Sequence, residues 1–271
     1  MELLTATGTS DVDVESQVDA LEEMVADGAD GILIAVTDST ALVPAIESAR
    51  EAGVLVIAVD TPVEPEDAVD AFFATDNRAA GELVGRYAAA KASELGLEPR
   101  VAVLDLAPGI ASGEQRREGF AAGFGLVDDD PRLVGAVDTR GDREEGEAAM
   151  EQLLVQDPGV NVVYAVNEPA AFGALDALEA AGTDLEEVVV VAIDGGCEAI
   201  KDGVRPGRID ATAQQYPENM AREGVRAIAD AVRGGEEPNG YLDTGLQLIT
   251  GAQAEGVESR GVAFGVRNCW G

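Results

Sequence analysis

The stretch from Gly31 to Asp60 constrains the fold more than any other part of this sequence. It opens with a short apolar run, Ile32–Val36, typical of a strand that is covered on both faces of a parallel sheet. A helical pattern follows over Thr40–Glu51, and Val54–Val59 supplies a second apolar strand. The crossover of such a βαβ unit is right-handed almost without exception. The same alternation continues along the chain, which predicts an α/β class with parallel sheets.

Two features favour two lobes over a single sheet. The chain holds about ten strand candidates, more than one doubly wound sheet usually carries. The pattern also predicts that the chain passes between two halves at three places, near residues 72–77, 213–216 and 246–250. The predicted lobes are 1–75 with 216–248, and 76–215 with 249–271.

The two ends of the chain carry more local predictions. Glu2–Ala6 is predicted to form a strand, and Asp11 or Asp13 to cap a helix that runs to about Ala26. After a last helix at Glu218–Arg233, the pattern predicts an irregular acidic tail.

The net charge of −34 excludes some partners. The sequence has 52 acidic and 18 basic residues, and such a field repels nucleic acid and anionic lipid. A carboxylate-coated surface with few lysines suggests adaptation to high salt; an ordinary acidic protein is the alternative.

No apolar run reaches the roughly 18 residues of a membrane span. The first residues lack the basic start and apolar stretch of a secretory signal.

The residue types also exclude several kinds of chemistry. The sequence has no histidine, which rules out Ser-His-Asp triads, histidine proton shuttles and histidine metal sites. No strand-to-helix turn reads GxGxxG and no DxDxDG loop accompanies Asp60 or Asp194, so neither a cofactor nor a metal is predicted. Cys197 and Cys269 fit no zinc or CxxC spacing. A single disulfide and two independent thiols both remain open.

Polar residues collect directly after the predicted strands, where ligands bind in open α/β sheets. They are Asp60, Asp76-Asn77, Asn167-Glu168, Asp194 and Gln214-Gln215, joined by Arg116 at the start of a helix. Carboxylates accept from adjacent hydroxyls, Arg donates to two oxygens, and Asn and Gln do both. The set therefore favours a neutral polyhydroxyl ligand. The alternatives are helix caps and loop contacts for each residue, and a paired-carboxylate glycosidase, which nothing in the spacing selects.

Nearly the whole chain resembles the substrate-binding proteins of bacterial sugar ABC transporters, the ribose/galactose-type periplasmic binding proteins. The similar strings are GADGILIAVTDSTALVPAIESAREAGVLVIAVDTP, ATDNRAAGELVG, QRREGF, NEPAAFGALDALEAAG, AIDGG and ATAQQYP. The fructose-binding branch is resembled in VLDLAPG, NEPAA, IDGGC, QQYP, DTGLQLIT and CWG. The resemblance implies the type I periplasmic binding protein fold, two doubly wound parallel-sheet lobes joined by three hinge strands that close on a sugar. It also implies a receptor that is not an enzyme, serves a membrane permease, and works in the periplasm or outside the cell.

The resemblance assigns roles to particular residues. The family's ligand positions fall on Asp60, Asn77, Arg116, Asn167, Asp194 and Gln215. The similarity in IDGGC and CWG implies a disulfide between Cys197 and Cys269.

Two departures from the family carry a further expectation. Relatives begin with another strand and helix, whereas this chain starts at what should be the second strand, and no aromatic residue stands near Gly141 to stack on the sugar. The first strand and helix of lobe 1 are then missing, and Ile32–Val36 is expected to have an unpaired edge with an open core beside it. We accordingly expect a truncated chain that binds sugar weakly or not at all.

Two other function classes use comparable scaffolds. The effector-binding domain of a sugar-responsive transcription regulator shares the fold, but a regulator needs a basic helix-turn-helix, and the acidity argues against a nucleic-acid partner. An enzyme on a flavodoxin-like scaffold needs a nucleophile or a phosphate loop, and neither motif occurs.

Overall fold

A computed structural model describes residues 2–10 and 12–271. By its internal contacts the chain divides into two units. The first contains the chain up to Thr75, together with Gly109–Ser112 and Pro217–Thr244; the second contains Asp76–Pro108, Gly113–Tyr216 and Gly245–Gly271. The last passage between units lies at Thr244–Gly245, a few residues before the predicted position, and the short Gly109–Ser112 excursion has no counterpart in the sequence prediction.

Helices and strands alternate through both units. The α-helices are α1 (Val14–Ala26), α2 (Val43–Glu51), α3 (Asn77–Glu94), α4 (Ala111–Phe124), α5 (Arg143–Gln156), α6 (Glu168–Ala180), α7 (Pro217–Val232) and α8 (Val262–Asn268). The strands are β1 (Gly31–Ile34), β2 (Leu55–Val59), β3 (Ala71–Ala74), β4 (Val101–Asp105), β5 (Leu133–Asp138), β6 (Val162–Ala165), β7 (Val189–Asp194), β8 (Ala211–Gln214), β9 (Gly240–Asp243), β10 (Gln247–Thr250) and β11 (Arg260–Gly261).

The sheet of the first unit has the strand order β1-β2-β3-β9, with every neighbouring pair parallel. Its apolar side chains alternate between the two faces. Ile32 and Val56 pack with α1 and α2 on one face, and Ile57 packs with Ala227 and Ile228 of α7 on the other. Because both faces are covered there, β1, β2 and β3 read as continuous apolar runs in the sequence, whereas β9 is exposed.

Strand β1 lies at an edge of this sheet and has a strand neighbour on one side only, within the described part of the chain. A cavity of about 490 Å³ lies beside it, lined among others by Leu21, Ile32 and Ile34. The predicted unpaired edge therefore agrees with the structure, whereas residues 6–10 line the cavity where an open core is expected. The predicted strand at Glu2–Ala6 is wrong: this segment has no regular secondary structure, and Leu3 is 76% exposed. An extended segment needs a paired neighbour to satisfy its backbone, and none of the described strands pairs with this one.

The sheet of the second unit has the order β11-β10-β8-β7-β6-β4-β5. Its strands β5-β4-β6-β7-β8 are parallel, and β10 runs antiparallel to β8. Helices α5 and α6 cover one face, while α3 and α4 cover the other. The strand order reverses between β4 and β6, which makes the carboxyl edge of these strands the place where a doubly wound sheet binds ligands. The predicted α/β class with two parallel-sheet lobes is confirmed.

Local features at the chain ends complete the fold. Asp13 caps α1, since its carboxylate accepts a hydrogen bond from the Ser16 amide at 3.1 Å; the other candidate, Asp11, lies outside the described residues. The predicted irregular tail is wrong, because the residues after α7 form β9, β10, β11 and α8. None of the helices in the described ranges combines the length and apolar character that a bilayer crossing requires.

Candidate functional site

Polar side chains gather at the carboxyl edge of the second unit's sheet. Asp194 is the last residue of β7, and Gln215 follows β8 directly. Asn77 begins α3, and Arg116 lies in the second turn of α4. We call these four residues the Arg116 cluster, because each of the other three is linked to the Arg116 guanidinium directly or through one neighbour.

The distances in the Arg116 cluster are those of a connected hydrogen-bond network. Arg116 Nε donates to Asn77 Oδ1 at 2.8 Å, and Arg116 Nη1 lies 3.3 Å from Asp194 Oδ1. The same Nη1 donates to the backbone carbonyl of Val166 at 3.2 Å. Gln215 Nε2 donates to Asp194 Oδ1 at 2.8 Å. The fold brings these four residues together from separate segments of the chain.

The Arg116 cluster is buried, and within the described residues one of its acceptor atoms receives no hydrogen bond. The side chain of Arg116 is 4% exposed and that of Asp194 is 13% exposed. Burying a charge is costly unless it is paired, and the Arg116–Asp194 pair meets that condition. Gln215 Oε1, by contrast, is buried and has no hydrogen-bond partner within residues 2–10 and 12–271. A buried acceptor of this kind costs folding free energy unless something else donates to it.

Two further carboxylates lie at the carboxyl edge of this sheet. Glu168 is among the polar residues that the sequence places after strands, whereas Asp105 is not. Glu168 accepts hydrogen bonds from the Gly196 amide at 3.0 Å and from Thr212 Oγ1 at 3.4 Å. Burial, followed by the negative charge of Asp194, raises the pKa of Glu168 well above its usual value. Asp105 ends β4, and burial raises its pKa to about 6 against the opposing effect of Arg117. The signal that identified Asp60, a carboxylate directly after an apolar strand, was present for Asp105 as well.

Asn167 has a different environment from the Arg116 cluster. Its Oδ1 accepts from the Ala170 amide at 3.1 Å and so caps α6, and its Nδ2 donates to the Gly141 carbonyl at 3.0 Å. This is the helix-cap alternative that the sequence left open for every candidate. A ligand role for Asn167 stays a prediction.

Asp60 belongs to the first unit, where it follows β2. Its backbone amide donates to the Phe73 carbonyl at 3.3 Å. Asp60 shares one unusual property with Asp194: their φ angles are 63° and 130°. Non-glycine residues rarely adopt positive φ, and functional sites are where such strained residues concentrate.

The second unit also contains the disulfide. Cys197 and Cys269 are bonded, with their Cα atoms 4.9 Å apart, so the pairing implied by the resemblance is confirmed. Throughout the described ranges, no group of three or more His, Cys, Asp or Glu residues is arranged to hold a metal ion.

Comparisons with known proteins give a consistent picture. The model of one protein family, described as a periplasmic binding protein domain, matches residues 2–237. The ribose import binding protein of Bacillus subtilis is 32% identical over 222 residues, which cover 82% of this chain and 69% of that protein. The D-ribose/D-allose-binding protein of Pseudomonas aeruginosa is 30% identical over 91% of this chain and 78% of its own length.

A solved structure extends the similarity to three dimensions. An ABC transporter solute binding protein from Agrobacterium vitis with bound D-fucose has a TM-score of 0.83 and 26% sequence identity. The match covers 100% of this chain and 90% of that one. These relatives are binding and transport proteins rather than enzymes, which agrees with the prediction that the chain is not an enzyme.

Proposed function

The chain belongs to the periplasmic binding protein domain family, and on that premise we propose that it is the sugar-binding component of an ABC transporter. Its ligand is a monosaccharide, and its partner is the membrane permease that receives the sugar. Its place of work is the periplasm or the outside of the cell. Closing of the two lobes on the sugar belongs to the same proposal.

The observation that carries this proposal is the buried Arg116 cluster. Its side chains hydrogen-bond well and lack a nucleophile or a proton shuttle, since the sequence has no histidine. A ring with neighbouring hydroxyls can donate to a carboxylate and accept from a guanidinium at the same time. The unpartnered Gln215 Oε1 is an acceptor that a sugar hydroxyl would satisfy. The relatives described above favour such a receptor over the effector domain of a regulator.

The identity of the sugar is a finer question. The relatives are named for ribose and allose, and the solved structure holds D-fucose. The sequence resemblance adds fructose. We propose a monosaccharide of this size, with D-ribose, D-allose, D-fucose and D-fructose as the ligands to test.

Isothermal titration calorimetry with these sugars tests the proposal. We expect saturable one-site binding of at least one of them, and Q215A should weaken it about tenfold, since the variant loses a buried hydrogen-bonding group. Q247A is the matched control: Gln247 lies on β10 and contacts Arg260, outside the Arg116 cluster, so its affinity should equal that of the wild type.

The same titration separates two expectations. No saturable heat with any of the four sugars, up to millimolar concentration, would contradict the proposed function. A micromolar dissociation constant would instead support it and contradict the expectation that the open edge beside β1 weakens binding.

A further inference from the structure

The last residues of the chain return to the loop that carries Asp194. Trp270 Nε1 donates a hydrogen bond to the Asp194 carbonyl at 3.3 Å. The Cys197 amide donates to the Trp270 carbonyl at 2.9 Å. The disulfide then ties Cys197 to Cys269 covalently. Three links therefore join residues 269–270 to residues 194–197.

The loop needs external support because of its own backbone. Asp194 has a φ of 130° and Gly195 a φ of 69°. The first value lies in a region that is nearly exclusive to glycine, so the surroundings must hold it there. Two glycines follow, and glycine restricts the backbone less than any other residue. The orientation of the Asp194 carboxylate towards Arg116 therefore depends on the contacts that hold the loop.

Those contacts come from both sides of the loop. The Glu168 carboxylate accepts a hydrogen bond from the Gly196 backbone amide at 3.0 Å. The Gln215 backbone amide donates to the Asp194 backbone carbonyl at 2.9 Å. Trp270 supplies the second donor to that same carbonyl. Of these three contacts, the hydrogen bond from the Trp270 indole is the one that comes from the end of the chain. The disulfide at Cys269 anchors that end.

We propose that Trp270, anchored by the Cys197–Cys269 disulfide, is a positioning residue that holds Asp194 in its ligand-binding conformation. The inference deepens the proposed function and rests on it for its effect on sugar affinity. The effect of Trp270 on the conformation of the loop is independent of any ligand. A hydrogen bond of this kind corresponds to about a fivefold change in affinity or in local opening.

Trp270 also provides the readout. It is the single tryptophan of the sequence, so all indole fluorescence of the protein originates one hydrogen bond from Asp194. In the wild type, each of the four test sugars that binds should change this emission saturably. The dissociation constant from fluorescence should equal the one from calorimetry.

The decisive experiment compares W270F with F264L in the full chain. Phe264 lies on α8 and contacts Arg260, so F264L removes packing from the same terminal segment while leaving the hydrogen bonds of residues 194–197 with Trp270 in place. Hydrogen–deuterium exchange without sugar should be about fivefold faster at the Gly196 and Cys197 amides in W270F and unchanged in F264L. Sugar affinity should fall about fivefold in W270F and not in F264L. The double substitution C197S/C269S should reproduce both effects of W270F.

Each outcome decides one claim. Unchanged exchange at the two amides in W270F, or equal loss of affinity in W270F and F264L, overturns the positioning role. Failure of the wild type to bind any test sugar overturns the proposed function instead, and the exchange comparison still decides whether Trp270 holds the loop.

Discussion

The packing of α3 against α4 makes Arg116 sensitive to a single methyl group. The two helices approach so closely that glycines stand at the contact. A Cβ on Gly81 would lie 1.9 Å from the Arg116 carbonyl oxygen, and one on Gly123 would lie 2.3 Å from the Glu82 carbonyl oxygen. Glycine is required at such points because any side chain would meet the backbone of the partner helix.

We predict that G81A destabilises the protein and displaces Arg116. The helices must separate by about 1.5 Å, the difference between 1.9 Å and the 3.4 Å of an ordinary contact. Overpacking against backbone costs about 3 kcal/mol, and the better helix propensity of alanine returns about 1 kcal/mol. The net loss is about 2 kcal/mol. A movement of this size also breaks the 2.8 Å hydrogen bond from Arg116 to Asn77, so sugar affinity should fall at least tenfold.

Urea unfolding and sugar calorimetry of G81A and G123A together test this reasoning. G123A is the matched control, because it places a methyl group against backbone in the same helix pair but about two turns from Arg116. Both variants should lose stability, and G81A should lose far more affinity. Equal affinities in the two variants, or a G81A protein as stable as the wild type, would refute the argument.

Two further predictions concern the carboxyl edge of β4 and the open edge of β1. Folding raises the pKa of Asp105 from 3.8 to about 6, so the folded state binds this proton more tightly than the unfolded state does. The resulting stabilisation of the folded state, about 3 kcal/mol, is present at low pH and is lost as the pH rises from about 4 to about 6. Urea unfolding should accordingly show D105N gaining stability relative to the wild type between about pH 4 and pH 7; parallel pH profiles would contradict this. Gln17 donates to the Ala35 carbonyl at 2.8 Å and accepts from the Thr37 amide at 2.9 Å, beside the open strand. Q17A should cost about 1 kcal/mol and increase self-association in sedimentation velocity; a monomeric, equally stable variant would show that this contact does not protect the edge.

The α/β class could be predicted because burial on both faces leaves an unmistakable apolar run in each core strand. The run Ile32–Val36 corresponds to β1, although the strand itself ends at Ile34. The same criterion is wrong for Glu2–Ala6, an apolar segment that pairs with none of the described strands. It also failed for β9, all of whose residues are exposed. Such a strand is held by pairing with β3, and pairing leaves no hydrophobic pattern in the sequence.

The site was predictable only to the extent that it depends on position after a strand. Asp194 ends β7 and Gln215 follows β8, and the sequence indicates both as candidates. The hydrogen bond of Arg116 with Asn77 depends on how closely two helices cross, which no local pattern reveals. The burial of Glu168 depends on the Gly195-Gly196 turn that packs over it, and it became visible only in three dimensions.

The positive φ angles of Asp60 and Asp194 have an energetic consequence. Glycine would relieve the backbone at either position, at a gain of about 1 kcal/mol or more. At Asp194 that gain is outweighed, because glycine would remove the negative charge that faces the buried Arg116 guanidinium. The backbone strain at Asp194 therefore persists in a stable fold, because the same residue compensates a buried positive charge.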